Sequence, residues 1–191
     1  NLYSMLALIP DAYESSVIAG YSVTVKIDGF VNLPLQAFSM AITTFVGQNI
    51  GAKKYDRVKK GANVTMVMAL TTIAVFSILM FFFGEQFIAL FNQEKEVIEA
   101  GRLMQMIFIP FYILLPINQV IAGVLRGAGK SAIPMYIMIF SFVILRQIYL
   151  FIVTKFTESV GFIFFGWPVT WIICSLIFVI YYYKVNWIKE I

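Results

Sequence analysis

One stretch of the sequence gathers side chains that could handle an ion or a polar ligand. Thr24, Asp28, Asn32, Gln36, Ser39 and Thr43 recur at intervals of three and four residues. At about 100° per residue they fall within an arc of about 120° on a helix. The opposite side is expected to carry Val31, Leu35, Phe38 and Ile42. A polar stripe this long does not sit comfortably against acyl chains, so it faces a water-filled cavity or a neighbouring helix. Pro34 could break its phase. Asp28 is the ionisable member. If it lies below the headgroups, keeping it charged costs roughly 2.5–3.5 kcal/mol, the circumstance a proton-coupled carboxylate requires. An ordinary solvated edge carboxylate is the plainer alternative. Lys26 is two residues away, so it points elsewhere and does not pair with Asp28. Asp28, Asn32 and Gln36 are the cavity-lining candidates, and Asn118 is a candidate on a second helix.

Other motifs carry less. Asn118 and Gln119, in an apolar run, could bond between helices or coordinate an ion. Arg146 lies inside another apolar run, and its side chain snorkels outward or pairs across helices. Arg126-Gly127-Ala128-Gly129-Lys130-Ser131 resembles the tail of a phosphate-binding loop, but Val124 stands where its first glycine is needed. A tight turn is the better account, with Gly127 and Gly129 permitting left-handed backbone and the cations at the headgroups. Gly47–Gly51 and Gly123–Gly127 both have the G-x-x-x-G spacing that lets helices approach closely. Pro110 and Pro116 in one run predict a bent helix, a device recurring where a transporter lines a cavity.

The elements that hold these residues follow from composition. Of 191 residues, 61% are apolar and 13% charged, and the mean hydropathy is +0.87. A soluble domain carries about a quarter charged residues. Water-soluble enzymes, disordered chains and nucleic-acid modules are excluded. With no histidine and one cysteine, Cys174, disulfide scaffolds, zinc centres and histidine triads go as well. No nucleophile–base pair is evident, so no catalytic residue, metal or cofactor is expected, and the chain is not read as an enzyme.

Uncharged runs at 29–52, 61–84, 103–125 and 159–183 reach the roughly 20 residues a spanning helix needs, and 131–154 does so if Arg146 is tolerated. The expected fold is all-α and integral to the membrane. Its five spans lie at about 17–50, 61–84, 103–125, 131–154 and 159–183, in one domain. Residues 1–10 are too short to cross and are expected to be the remnant of a preceding span. The connection over residues 48–60 suits a short interfacial helix. Lys53, Lys54, Arg57, Lys59 and Lys60 form one basic group, Arg126 and Lys130 a second, and Lys184 and Lys189 a third. Two spans separate each group from the next, so all lie on one face. The acids Asp11, Glu14, Glu85, Glu94, Glu96, Glu99 and Glu158 collect on the other. Basic loops stay in the cytoplasm, which puts the C-terminus inside. Phe81, Phe82 and Phe83 suit the outer boundary, and Tyr181, Tyr182, Tyr183 and Trp187 the inner one.

Phe45-Val46-Gly47-Gln48-Asn49-Ile50-Gly51-Ala52, followed by Lys53, Lys54 and Arg57, resembles the multidrug and toxic-compound extrusion (MATE) transporters. Val25 to Phe30, Leu33-Pro34, and Gly123 to Lys130 with Pro134 resemble that family too, in the order of its C-terminal half. The resemblance implies part of the second lobe of a twelve-helix, two-lobe membrane antiporter. Such proteins export cationic or amphipathic organic compounds in exchange for Na⁺ or H⁺ by alternating access. It further implies a plasma-membrane location, contact with the lipid bilayer, and a missing N-terminal lobe or partner chain. Where some members carry an acid in the tenth span, Leu115, Pro116, Ile117 and Asn118 stand here. A channel or structural membrane subunit, with the stripe as a packing seam, is the alternative from another class.

Overall fold

The computed structural model describes residues 11–156 and 159–184, with side chains from Ser15 onward. The expected remnant at 1–10, together with Glu158, Trp187 and Lys189, lies outside the described residues. Helix α1 runs Asp11–Gly51, α2 Tyr55–Ala89 and α3 Lys95–Phe108. A 3-10 turn at Ile109–Phe111 leads to α4 at Leu114–Gly127. Then come α5 (Ala132–Ile139), a π-helical turn at Phe140–Leu145, α6 (Arg146–Phe156), α7 (Val160–Phe164) and α8 (Gly166–Lys184). Four helical stretches are long and apolar enough to cross a membrane, and the bent pair α3–α4 makes a fifth.

The bilayer is the solvent these helices expect. Along α2, Val64, Val67, Met68, Val75, Ile78, Phe82 and Phe83 are exposed. A water-soluble surface rarely shows an apolar patch of that extent. Hydroxyls on such faces satisfy themselves locally: Thr71 and Thr72 donate to the carbonyls of Val67 and Met68, each at 2.9 Å.

Helix α1 has 41 residues, about 60 Å, twice the hydrocarbon thickness. It passes through Pro34 without interruption, so the proline does not break the stripe's phase. The prolines of the third span behave otherwise. Between Phe111 and Leu114 the helix bends by 57°, as Pro110 and Pro116 predict: proline removes a donor and crowds the carbonyl four residues back.

No interfacial helix separates α1 from α2. Residues 52–54 form a tight turn, and Asp56 to Lys60 belong to the first turns of α2. Lys54 N–H reaches the Asn49 carbonyl (2.8 Å) and Lys53 N–H that of Ile50 (2.8 Å). Lys53 is left-handed at φ 56°, which makes this a Schellman cap. The same cap closes α4, where Lys130 and Gly129 N–H groups reach Leu125 (2.9 Å) and Arg126 (3.0 Å). Gly129 alone is left-handed there, at φ 78°.

Gly127 has a different task from the turn expected of it. A Cβ on Gly127 would strike the Thr43 carbonyl, and one on Gly123 would lie 2.7 Å from the Ser39 carbonyl. Both glycines admit α1 against α4, as their spacing predicts. The other pair fares differently. A Cβ on Gly47 would lie 3.5 Å from the Gly127 carbonyl, whereas one on Gly51 would meet nothing within 4 Å.

Candidate transport site

The polar stripe of α1 is built along a parallel partner. Ser16 donates to Glu96 (3.0 Å), Thr24 to the Gly101 carbonyl (3.3 Å), Ser39 to that of Gln119 (2.6 Å) and Thr43 to that of Gly123 (3.0 Å). Both chains ascend together, so the first and third spans run side by side in the same direction. Thr24 and Ser39 are buried. Arg126 turns toward α1 and its Nη2 donates to Ser39 Oγ at 2.7 Å. Much of the stripe is therefore a seam between helices, satisfying carbonyls and hydroxyls that lipid would leave unpaired.

The apolar residues expected opposite the stripe adjoin it instead. Val31, Leu35 and Ile42 are almost completely buried. At about 100° per residue they fall within ~20° of Thr24, on the flank packed against the bundle. Exposure lies on the other flank, at Val25, Lys26, Phe30, Leu33, Gln36 and Met40.

Asp28 stands at the middle of the seam, where the third span is broken. The Tyr112 hydroxyl, in the two-residue gap between Phe111 and Leu114, donates to the Asp28 carboxylate. Tyr112 is 1% exposed, and Asp28 itself is half-buried. The Tyr112 ring lies 6.0 Å from that of Trp171, which meets Phe108 at 5.2 Å. An aromatic wall thus backs the Tyr112 phenol. Lys26 diverges from it, as the two-residue spacing requires, and lies 6.0 Å from the Phe91 ring.

The other candidates separate. Asn32, half-buried, turns its amide back to the Asp28 carbonyl at 2.8 Å. Gln36 is exposed and lines an open groove of 520 Å³ with Lys26, Gly29, Phe30, Leu33 and Phe91. Asn118 is buried, and its Oδ1 accepts from Ser175 of α8 at 2.9 Å. It thereby makes the interhelical bond expected of it, with the last helix and not with the Asp28 group. Its amide nitrogen has no partner among the described residues.

Arg146 does not snorkel. Its Nη2 donates to Thr170 at 3.0 Å, and the guanidinium lies over Trp167 at 4.7 Å. The π-helical turn just before it sets its direction, because one wide turn rotates everything after it.

Tyr112 is the residue missed in the sequence reading. Its signal was a phenol between two prolines in an apolar run, since a buried tyrosine hydroxyl seeks a partner. Gln105 was missed as well: it is fully buried, and neither side-chain polar atom has a partner among the described residues.

Known proteins resemble this chain in sequence, and a solved structure resembles it in fold. The probable multidrug resistance protein YoeA of Bacillus subtilis (strain 168) is 28% identical over 180 residues, 93% of this chain and 38% of its own length. The probable multidrug resistance protein NorM of Thermotoga maritima is 27% identical, over 73% of this chain and 30% of its own. The chain thus spans well under half the length of these relatives. The fold superimposes on a crystal structure of MATE in complex with MaL6 with a TM-score of 0.83. That likeness covers 100% of this chain and 43% of the other, at 13% identity. The family model described as MatE matches residues 3–152, most of the chain, and the protein therefore belongs to the MatE family.

Proposed function

We propose that the chain is the portion of a multidrug efflux antiporter that carries a coupling carboxylate, Asp28. The bond from Tyr112 to Asp28 at the break of the third span carries this reading. A proton or Na⁺ arriving at Asp28 competes for the oxygen lone pairs that accept the Tyr112 hydroxyl. Occupancy of Asp28 therefore alters the tie between α1 and the joint of a bent helix, the kind of element that moves in alternating access. Membership of the family supports export of cationic or amphipathic organic compounds; in this reading Na⁺ or H⁺ moves inward in exchange. A first lobe or partner chain supplies the second bundle. The protein sits in the plasma membrane as a multi-pass protein with its C-terminus in the cytoplasm, because the basic loops share one face.

Gradient-driven dye efflux, in an intact transporter carrying this lobe, tests the proposal. Asp28→Asn is expected to impair it and Asp56→Asn, beside exposed cations in the first turns of α2, to leave it near wild type. Wild-type efflux for Asp28→Asn at equal expression would overturn the assignment. The bonds of Thr24, Ser39 and Thr43 to carbonyls favour a second reading, a packing seam in a channel or structural subunit. Downhill ion flux with no gradient-driven efflux would support it.

A further inference from the structure

At the basic end of the bundle, a groove of 480 Å³ opens between α1 and α2, lined by Ala41, Phe45, Arg57, Lys60, Val64 and Thr65 among others. Its two parts differ chemically. Arg57 and Lys60 are three residues apart on α2 and share one helix face. Both are exposed. Among the described residues the ion pairs are Lys95–Glu99 and Arg102–Glu85. Asp56, one turn before Lys60, therefore pairs with neither groove cation. Past the cations the wall is apolar, formed by Ala41, Phe45 and Val64. Gly61 seats the Phe45 ring, which any Cβ there would strike. From Arg57 to Thr65 the groove follows α2 for about 12 Å.

We propose that this groove is a site for one anionic phospholipid of the leaflet on the basic side. Its phosphate lies between Arg57 and Lys60, and one acyl chain lies against Ala41, Phe45 and Val64. A soluble anion has no use for the apolar wall, and a zwitterionic lipid brings its own ammonium cation with its phosphate and so leaves the charge of the pair uncompensated. An acyl chain gains little here over the bilayer, because lipid tails are as apolar as these side chains. Selection therefore rests on the headgroup, at roughly five-fold per cation. Lys53, Lys54 and Lys59 do not line the groove; they add only the diffuse attraction of a basic loop. The site does not depend on the transport reading.

The test uses the chain in phosphatidylcholine vesicles with a trace of diazirine-tailed lipid, either phosphatidylglycerol or phosphatidylcholine. Photolysis and peptide mapping read where the tail lies. The glycerol lipid is expected to label residues 41–45 and 61–65 about five-fold or more above the choline lipid. Arg57→Gln with Lys60→Gln, both at exposed positions, abolishes that preference. Lys53→Gln with Lys54→Gln leaves it within about two-fold. Excess inorganic phosphate does not compete for labelling. Equal labelling by the two lipids would overturn the site. So would an equal loss in the two double variants, which would reduce the effect to the surface potential of the loop.

Discussion

Tyr112 and Asp28 show how one side chain conditions another at membrane depth. A hydrogen bond to a charged group contributes about 1.5–3 kcal/mol. Tyr112→Phe removes the donor without changing the ring's packing on Trp171. It is expected to lower efflux in the same direction as Asp28→Asn, by about ten-fold, in an intact transporter carrying this lobe. Unchanged efflux would separate the tyrosine from coupling. Arg146 offers a second test. Lysine in its place keeps a charge but loses the planar stack on Trp167 and the fork that reaches Thr170. Arg146→Lys is expected to cost about 1 kcal/mol, read as a lower unfolding temperature in detergent. No shift would make the stack irrelevant to stability.

Helix ends and helix contacts obey the same geometry at two sites with opposite residue choices. Gly129 and Lys53 both occupy the left-handed position of a Schellman cap, a conformation that costs a residue with a Cβ about 1–2 kcal/mol. Gly129→Ala should therefore destabilise by about 1 kcal/mol, and Lys53→Gly should stabilise by a comparable amount. Thermal unfolding of the two variants must move in opposite directions. Along the seam, Gly123→Leu forces α4 away from the Ser39 carbonyl. Such overpacking costs about 1–3 kcal/mol and breaks the bonds from Ser39 and Thr43. The same change at Gly51, where an added Cβ meets nothing within 4 Å, should be far milder.

As a whole, the bundle has spans enough to insert, and on the proposed reading it is one half of a rocking pair. The chain spans 38% of the length of YoeA, and alternating access moves one bundle against another. The chain alone is expected to enter the membrane and to show no gradient-driven efflux from vesicles. Efflux by this polypeptide alone would point to a homodimeric transporter. Orientation has its own measurement. Cysteines at Lys54, Lys130 and Lys184 should be labelled from the cytoplasm, and one at Glu94 from outside. Opposite labelling of the Lys54 and Lys130 positions would break the five-span arrangement.

Spans, bend and close-packing glycines were legible in the amino acids because each depends on local chemistry. An uncharged run of sufficient length partitions into lipid wherever it stands, and Pro110 with Pro116 interrupts any helix. Gly123 and Gly127 mark a close approach through their missing side chains. The 100° periodicity also located the stripe, since it is a property of one helix. Which neighbour the stripe meets is not a property of one helix. The alternation of spans already makes α1 parallel to the third span; only tertiary packing set the two side by side, and that turned Thr24, Ser39 and Thr43 into a seam while exposing Gln36. It also gave Asn118 to Ser175, brought Tyr112 to Asp28, and carried Arg146 to Thr170 and Trp167. These pairings join residues far apart in sequence, 84 positions in the case of Tyr112 and Asp28. Helical periodicity gives each side chain a direction, but only a folded bundle supplies what stands in that direction.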